Sequence, residues 1–316
     1  MKCFVTGGAG FIGSNLVDQL LNDGHEVTVY DNFTTGLLYF LEPVKRSGLT
    51  IVKGDLLNQT LLSYTMDDHD IIYHLAANAD VRFGLNYPSK DLYQNTIATF
   101  NVLKAMRETG TSKIIFSSTS AIYGEPTTIP TPENTIFPQQ TSLYGASKLA
   151  CEGLIEAYCE GFDMQSWIFR FVSILGERYT HGHVFDFYKQ LQLHPDYLNV
   201  LGNGTQKKSY LYVKDCISGI LYTIKNSNEK INIFNLGTDD FCQVNDSIQW
   251  ICEYLNVHPE IRHSEGNKGW IGDNPFTYLD IIKIRNLGWK PKYTIQESII
   301  KTVDYLKNNP VVMERK

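Results

Sequence analysis

The chain has 316 residues, 43% of them apolar, and a formal net charge of -6. That length suffices for two compact units with sizeable cores, and the lack of any basic block argues against a nucleic-acid partner. No stretch of about 18 uncharged apolar residues occurs, so no membrane span is expected, and Met1–Gly7 is too short before the first glycine cluster to read as a leader. Six runs rich in Val, Ile, Phe and Tyr follow one another: Lys2–Thr6, Glu26–Tyr30, Thr50–Val52, Asp70–Leu75, Lys113–Ser117 and Ser166–Phe171. Nearly continuous apolar runs of this kind suit parallel strands covered on both faces. Between them lie helical stretches. Ile12–Asn22 carries Ile12, Leu16, Leu20 and Leu21 on one stripe and is stopped at Gly24. Leu92–Thr109 ends at Gly110, and Ala146–Glu160 ends at Gly161. Further on, helices are expected at Val184–Leu193, Asn245–Leu255 and Ile295–Leu306, with a strand at Ile231–Leu236.

This alternation predicts an α/β fold, a Rossmann-type doubly wound parallel sheet with a smaller C-terminal α/β substrate domain. Residues 1–173 form the expected dinucleotide-binding domain, with 231–244 crossing back to it. Residues 174–230 and 245–310 form the second domain, and 311–316 a frayed tail. The six cysteines, Cys3, Cys151, Cys159, Cys216, Cys242 and Cys252, make no CxxC pair and flank no His at ligand spacing. Reduced, mostly buried thiols in a cytoplasmic protein without a metal site are therefore expected.

Thr6-Gly7-Gly8-Ala9-Gly10-Phe11-Ile12-Gly13 follows the first strand and opens the first helix. Gly7 permits a tight turn, Gly10 removes a side chain that would block a pyrophosphate, and Gly13 lets the helix lie close to the sheet. The helix N-terminus then offers its N–H groups and dipole to phosphate. Asp31, at the end of the second strand, can accept hydrogen bonds from the adenosine ribose hydroxyls, and its charge repels a 2′-phosphate, which favours NAD over NADP. Asp55, after the third strand, reads either as an adenine-edge contact or as a turn former.

Tyr144 and Lys148 stand one helical turn apart in Tyr144-Gly145-Ala146-Ser147-Lys148. A phenol has a reference pKa of about 10. An ammonium ~4 Å away, at an effective dielectric near 20, is worth about 4 kcal/mol, enough to bring a tyrosine near neutrality. YxxxK alone can also be a chance surface pair. Thr119, just beyond the strand Lys113–Ser117, presents a hydroxyl at the carboxyl edge of the sheet, where ligands of open α/β folds bind. It can bond the reacting oxygen or relay a proton to Tyr144. Ser117, Ser118 and Ser120 read as structural, with Ser120 also counted among the substrate candidates.

With these motifs together the chain resembles the extended short-chain dehydrogenase/reductase family, and within it the UDP-glucose (galactose) 4-epimerase branch. The matching pieces are the glycine turn, Asp31-Asn32, Gly54-Asp55-Leu56, His74-Leu75-Ala76-Ala77, Asn95 with Asn101-Val102-Leu103, Ser118-Thr119 before Tyr123-Gly124, Tyr144/Lys148 and Ser209–Asp215. The resemblance implies a tightly held NAD contacted by Gly7, Gly10, Phe11, Ile12, Gly13, Asp31, Asn32, Asp55, Leu56, Leu75, Ala76, Ala77, Asn95, Tyr144 and Lys148. It implies that Tyr144 takes the proton from a sugar 4-hydroxyl while hydride leaves C4, and that hydride returns to the other face of a rotated 4-keto sugar. It also implies a UDP-hexose substrate and a homodimer paired through the helices at 92–109 and 146–160.

The chain departs from the branch at the substrate side. Arg170-Phe171-Val172-Ser173 ends in Ser173 where many relatives have Asn. Lys208, preceded by Lys207, stands where an Arg is common, and a lysine lacks the bidentate fork of Arg. No late Arg accompanies Gly269-Trp270-Ile271-Gly272-Asp273, where Trp270 could stack on a base or sugar or be structural. Arg82 and Arg178 are further candidate cations, or ordinary salt-bridge partners. The alternatives are a 4-dehydrogenase releasing a 4-keto sugar, a UDP-glucuronate 4-epimerase and a non-catalytic dinucleotide sensor. A 4,6-dehydratase needs carboxylates after Thr119, where this chain has Ser120-Ala121.

Overall fold

The structure is a computed structural model that describes residues 1–42, 47–78, 80–81, 83–136 and 139–314. In chain order the elements are β1 (Lys2–Thr6), α1 (Phe11–Asn22), β2 (Glu26–Asp31), β3 (Leu49–Lys53), α2 (Gln59–Met66), β4 (Ile71–His74), α3 (Phe83–Asn86), α4 (Pro88–Asp91), a π-helical segment (Leu92–Ile97), α5 (Ala98–Thr109), β5 (Lys113–Thr119), α6 (Leu143–Phe162) and β6 (Gln165–Phe171). They continue with β7 (Ser173–Leu175), α7 (His183–Leu193), β8 (Tyr197–Val200), β9 (Lys207–Lys208), β10 (Tyr210–Tyr212), α8 (Val213–Asn226) and β11 (Ile231–Leu236). The last are β12 (Cys242–Gln243), α9 (Val244–Leu255), β13 (Glu260–His263), β14 (Phe276–Thr277), α10 (Ile282–Asn286) and α11 (Ile295–Asn308).

The main sheet has seven strands in the order β11-β6-β5-β4-β1-β2-β3. The chain builds outward from β1 to β3, then crosses back to lay β4 on the other side of β1. That reversal is the switch point of a doubly wound sheet, the expected fold class. β1, β2, β3, β4 and β5 pair in parallel. The register sets Thr6 opposite His74 and His74 opposite Phe116, so the carboxyl ends of β1, β4 and β5 finish in one row.

Contacts divide the chain into two units. The first holds residues 1–122, 142–170 and 220–234, the second 123–141, 171–219 and 235–316. The core of the first includes Phe4, Ile72, Val102, Ile114, Ile155 and Ile168, drawn from strands and from α5 and α6. These divisions differ from the expected 1–173 boundary. Residues 123–141 pack with the second unit because Thr131 bridges to Leu279 and accepts the Asn235 side-chain amide at 2.9 Å. Residues 220–230, expected in the second domain, belong to the first. In the second unit β7 and β10 pair in parallel, β9 lies between β12 and β14, and β8 pairs with β13. Helix α11 starts with a capping box, Thr294 with Glu297, and buries Ile295, Ile299, Val303 and Leu306.

Four elements correct the sequence reading. The expected helix Ala146–Glu160 begins three residues earlier, where the Ser142 side chain accepts the Gly145 N–H at 3.0 Å. It ends past Gly161, at Asp163 in the left-handed conformation with φ 52°. The helix expected at Leu92–Thr109 opens with the π segment, and α8 is a helix that the Ser209–Asp215 motif does not announce. Of the expected tail, Val312 is fully buried in a short 3₁₀ turn at Pro310–Val312, and the last two residues lie outside the described ones.

Candidate active site

The glycine turn is held by its surroundings rather than by its own side chains. Gly7 sits at φ +69° and donates its N–H to Tyr30 at 3.0 Å, and a β-carbon there would come within 2.7 Å of the Ala76 nitrogen. At Gly13 a β-carbon would lie 2.1 Å from the Gly7 carbonyl oxygen. Gly10 differs, because a β-carbon there would meet only that same oxygen, at 3.2 Å. No side chain caps the N-terminus of α1 and no acidic residue stands in its first turn. An uncapped terminus beside a glycine crowded only by that one oxygen fits a pyrophosphate. Gly10→Ala is therefore expected to lower the melting temperature far less than a methyl at Gly13 while weakening NAD binding by about tenfold or more; calorimetry and NAD titration check both.

Asp31 is buried at the end of β2. Its two oxygens accept the N–H groups of Ala9 at 3.0 Å and Phe33 at 2.8 Å. Burial pushes its carboxyl up, and these two bonds oppose the shift. One lone pair on each oxygen remains for ribose hydroxyls. Asn32 donates to Asp55 Oδ2 at 3.0 Å, and Asp55 Oδ1 accepts the Leu57 N–H at 2.9 Å, so Asp55 is a turn former tied to Asn32. Phe11 is buried and Ile12 half-buried on α1, while Leu56 packs into the core with Phe4 and Tyr30. Leu75, Ala76 and Ala77 leave β4 half-buried, and Ala76 donates its N–H to Thr6 Oγ1 at 3.3 Å.

Behind that loop, buried His74 bridges Thr6 Oγ1 at 2.8 Å and Thr99 Oγ1 at 2.9 Å. Burial lowers its pKa to about 3, with Lys148 adding to the shift, so the ring is neutral and ties three elements together. Asn95 lies in the π segment, a distortion found often at functional sites. Its Nδ2 donates to Ser147 Oγ at 2.9 Å, and Ser147 donates to the Tyr144 carbonyl at 2.8 Å. Neither Ser147 nor the bonding partner Asp91 was singled out in the sequence, although Asp91 stands four residues before Asn95, on its own face of the helix.

Thr119 and Tyr144 come together, close enough for the Thr119 side chain to act on the phenol, and Thr119 Oγ1 accepts the Ala121 N–H at 3.1 Å. Ser120 opens the short 3₁₀ turn that follows. The expected depression of the phenol pKa by Lys148 is corrected. Burial pushes Tyr144 up to about 12, Thr119 works against that, and Asp91 and Cys151 add to the rise. Lys148 is 2% exposed and places its ammonium 4.0 Å from the centre of the Phe116 ring. The aromatic face of β5, which sequence spacing cannot register, attracts the cation. Burial brings Lys148 down to about 8, opposed by Cys151 and Glu152. Ser118 is structural, donating to Glu152, which Arg170 grips at 2.7 Å.

The remaining candidates lie in the second unit, apart from Arg82, which lies outside the described residues. Ser173 is exposed at the start of β7, opposite Tyr210. Arg178 adopts φ 69° in the segment after β7. Lys207 places its ammonium 5.3 Å from the Phe276 ring and 5.5 Å from Phe241. Lys208 is committed to Asp273 at 2.7 Å and to the Asn274 carbonyl, with Trp270 5.9 Å away. Asp273 is 3% exposed and also accepts the Gly269 N–H at 2.9 Å. Lys208 thus neutralises a buried carboxylate, a role its position in the motif did not reveal. Lys208→Met is expected to cost about 3 kcal/mol, because a lone buried charge is left behind; thermal unfolding should register the loss. Asp215, the last residue of the matching motif, accepts the N–H groups of Lys292 and Tyr293, a structural duty. Among the described residues no group of three His, Cys, Asp or Glu side chains could hold a metal ion.

Comparison with known proteins agrees with this geometry. Residues 3–237 match the model of the NAD dependent epimerase/dehydratase family. A putative UDP-glucose 4-epimerase of Methanocaldococcus jannaschii is 32% identical over 96% of this chain and 98% of its own. A crystal structure of a UDP-galactose 4-epimerase superposes with a TM-score of 0.89 at 34% identity, covering 98% of this chain and 99% of that one. The UDP-glucuronic acid 4-epimerase of Bacillus cereus, solved with UDP-glucuronic acid and NAD, gives a TM-score of 0.90 at 28% identity, with coverage of 98% and 99%. The glycine turn, the Thr119–Tyr144 contact and a family match running through most of the sequence lead to one conclusion: this chain belongs to the NAD dependent epimerase/dehydratase family.

Proposed function

We propose that this protein is an NAD-dependent nucleotide-sugar 4-epimerase acting on a UDP-hexose. The observation that carries the reading is the placing of Thr119, at the carboxyl end of β5, close enough to Tyr144 to draw the phenol pKa down, with Lys148 one turn further along α6. NAD, held by the glycine turn and Asp31, supplies the hydride acceptor and donor and, when oxidised, a positive ring. Tyr144 takes the proton of the sugar 4-hydroxyl and returns it after the 4-keto sugar has turned over. Thr119 holds the oxygen at both stages. Only the phenolate form of Tyr144 can accept that proton, and burial disfavours it, so a positively charged cofactor ring beside the phenol would favour the form the oxidation step needs. Lys148 stands one helical turn away, buried against the Phe116 ring.

The same reading includes a homodimer and a cytoplasmic location. Phe100 and Phe162 are 38% and 42% exposed on α5 and α6, a face suited to a second copy. All six cysteines are free thiols, and among the described residues no helix is long and apolar enough to cross a membrane. The test is incubation with UDP-glucose, UDP-galactose and UDP-glucuronate, following products by NMR and the NADH absorbance band. Interconversion of a 4-epimeric hexose pair without net NADH is expected. Stoichiometric NADH with a released 4-keto sugar, or turnover of UDP-glucuronate alone, contradicts the proposal.

A further inference from the structure

A carboxylate that no sequence motif singled out stands at the end of α4. Asp91 is 1% exposed. Its Oδ1 accepts the side-chain amides of Asn78 at 2.8 Å and Asn95 at 3.4 Å. Its Oδ2 is buried and has no hydrogen-bond partner among the described residues. Gly84 makes room for that oxygen, since a β-carbon there would come within 2.3 Å of it. From Asn95 the bonds lead onward. Its Oδ1 accepts the backbone N–H of Asn78 at 2.8 Å, its Nδ2 donates to Ser147, and Ser147 donates to the Tyr144 carbonyl.

A buried carboxylate with one oxygen unpaired costs stability. A neutral asparagine could offer one oxygen to the same two amides at a smaller desolvation cost, so the charge itself calls for a reason beyond folding. We propose that Asp91 is a positioning residue for the reaction: its carboxylate holds the amides of Asn78 and Asn95 and, through Ser147, seats the turn of α6 that carries Tyr144. The inference rests on the reading of Tyr144 as the acid–base group. The charge has a second consequence, because Asp91 favours the neutral form of Tyr144. The other titratable groups facing this cluster are Asp80 and Lys90 beside Asp91, Lys148, Cys151 and Glu152 on α6, and His74 at the end of β4.

The test is Asp91→Asn in the full chain loaded with NAD. We expect kcat to fall about tenfold with KM and NAD content nearly unchanged, the signature of a misplaced acid–base group. The acid limb of the kcat profile should also move to lower pH, because the neighbour that disfavours the phenolate is gone. Asn95→Ala should lower kcat similarly without moving that limb, and the double variant should be no worse than the weaker single one, as expected of residues acting in one chain of contacts. Parental kcat and an unmoved limb in Asp91→Asn would overturn the inference, as would a kcat that falls only in step with lost NAD. Should Asp91→Asn fail to fold, Gly84→Ala keeps the charge but displaces it. It should lower kcat alike, and parental activity there also overturns the inference. Tyr144→Phe separates the two readings: an inactive Tyr144→Phe beside a parental Asp91→Asn sinks only the role of Asp91, whereas an active Tyr144→Phe sinks the epimerase mechanism.

Discussion

Tyr144→Phe should lower kcat about a thousandfold, within the range that loss of a positioned acid–base group produces. Its ring stays the same size, so packing against α6 and β5 is retained. Thr119 keeps the Ala121 N–H it already accepts at 3.1 Å, so no buried hydroxyl is stranded. The melting temperature and the bound NAD should therefore match the parent. Steady-state kinetics beside an NAD assay on the released cofactor separates this outcome from a folding defect. Activity within tenfold of the parent would mean that another group takes the proton.

Gly13→Ala should be the most damaging single methyl in the first unit. The new carbon would sit 2.1 Å from the Gly7 carbonyl oxygen and 2.9 Å from the Gly8 Cα. Gly7 cannot retreat, since its own Cα side is closed by Ala76 and its N–H is bound to Tyr30. Either α1 moves off the sheet or the turn opens. We expect a loss of about 3 kcal/mol and a fall in melting temperature of roughly 10 °C, together with loss of bound NAD. Differential scanning calorimetry with and without added NAD measures both. The contrast with Gly10→Ala, which meets the same oxygen only at 3.2 Å and should lose far less stability while weakening binding, distinguishes a glycine that the fold requires from one that the ligand requires.

Much of this architecture could be read from the residues in order. The glycine spacing, the buried strands and Asp31 are local patterns, and local patterns survive in a linear sequence. The π segment at Leu92–Ile97 could not be read, because its apolar spacing is that of an ordinary helix and only the placing of Asn95 reveals the widened turn. The electrostatics of Tyr144 do not show in a linear sequence for a related reason. Lys148 is one helical turn away in sequence, but its ammonium answers to Phe116, a ring on another element. Burial then acts on the phenol in the opposite direction from the expected cation. Lys208 gives the same lesson at longer range, since the carboxylate it neutralises lies 65 residues further along the chain.

The central claim is that hydride leaves and returns to the same sugar carbon while Tyr144 handles the proton. Turnover of UDP-glucose deuterated at C4, read by mass spectrometry and NMR, tests it most directly. The account predicts UDP-galactose that keeps its deuterium at C4, with no accumulation of reduced cofactor. Deuterium lost to solvent, which would mean proton abstraction from carbon, would contradict it.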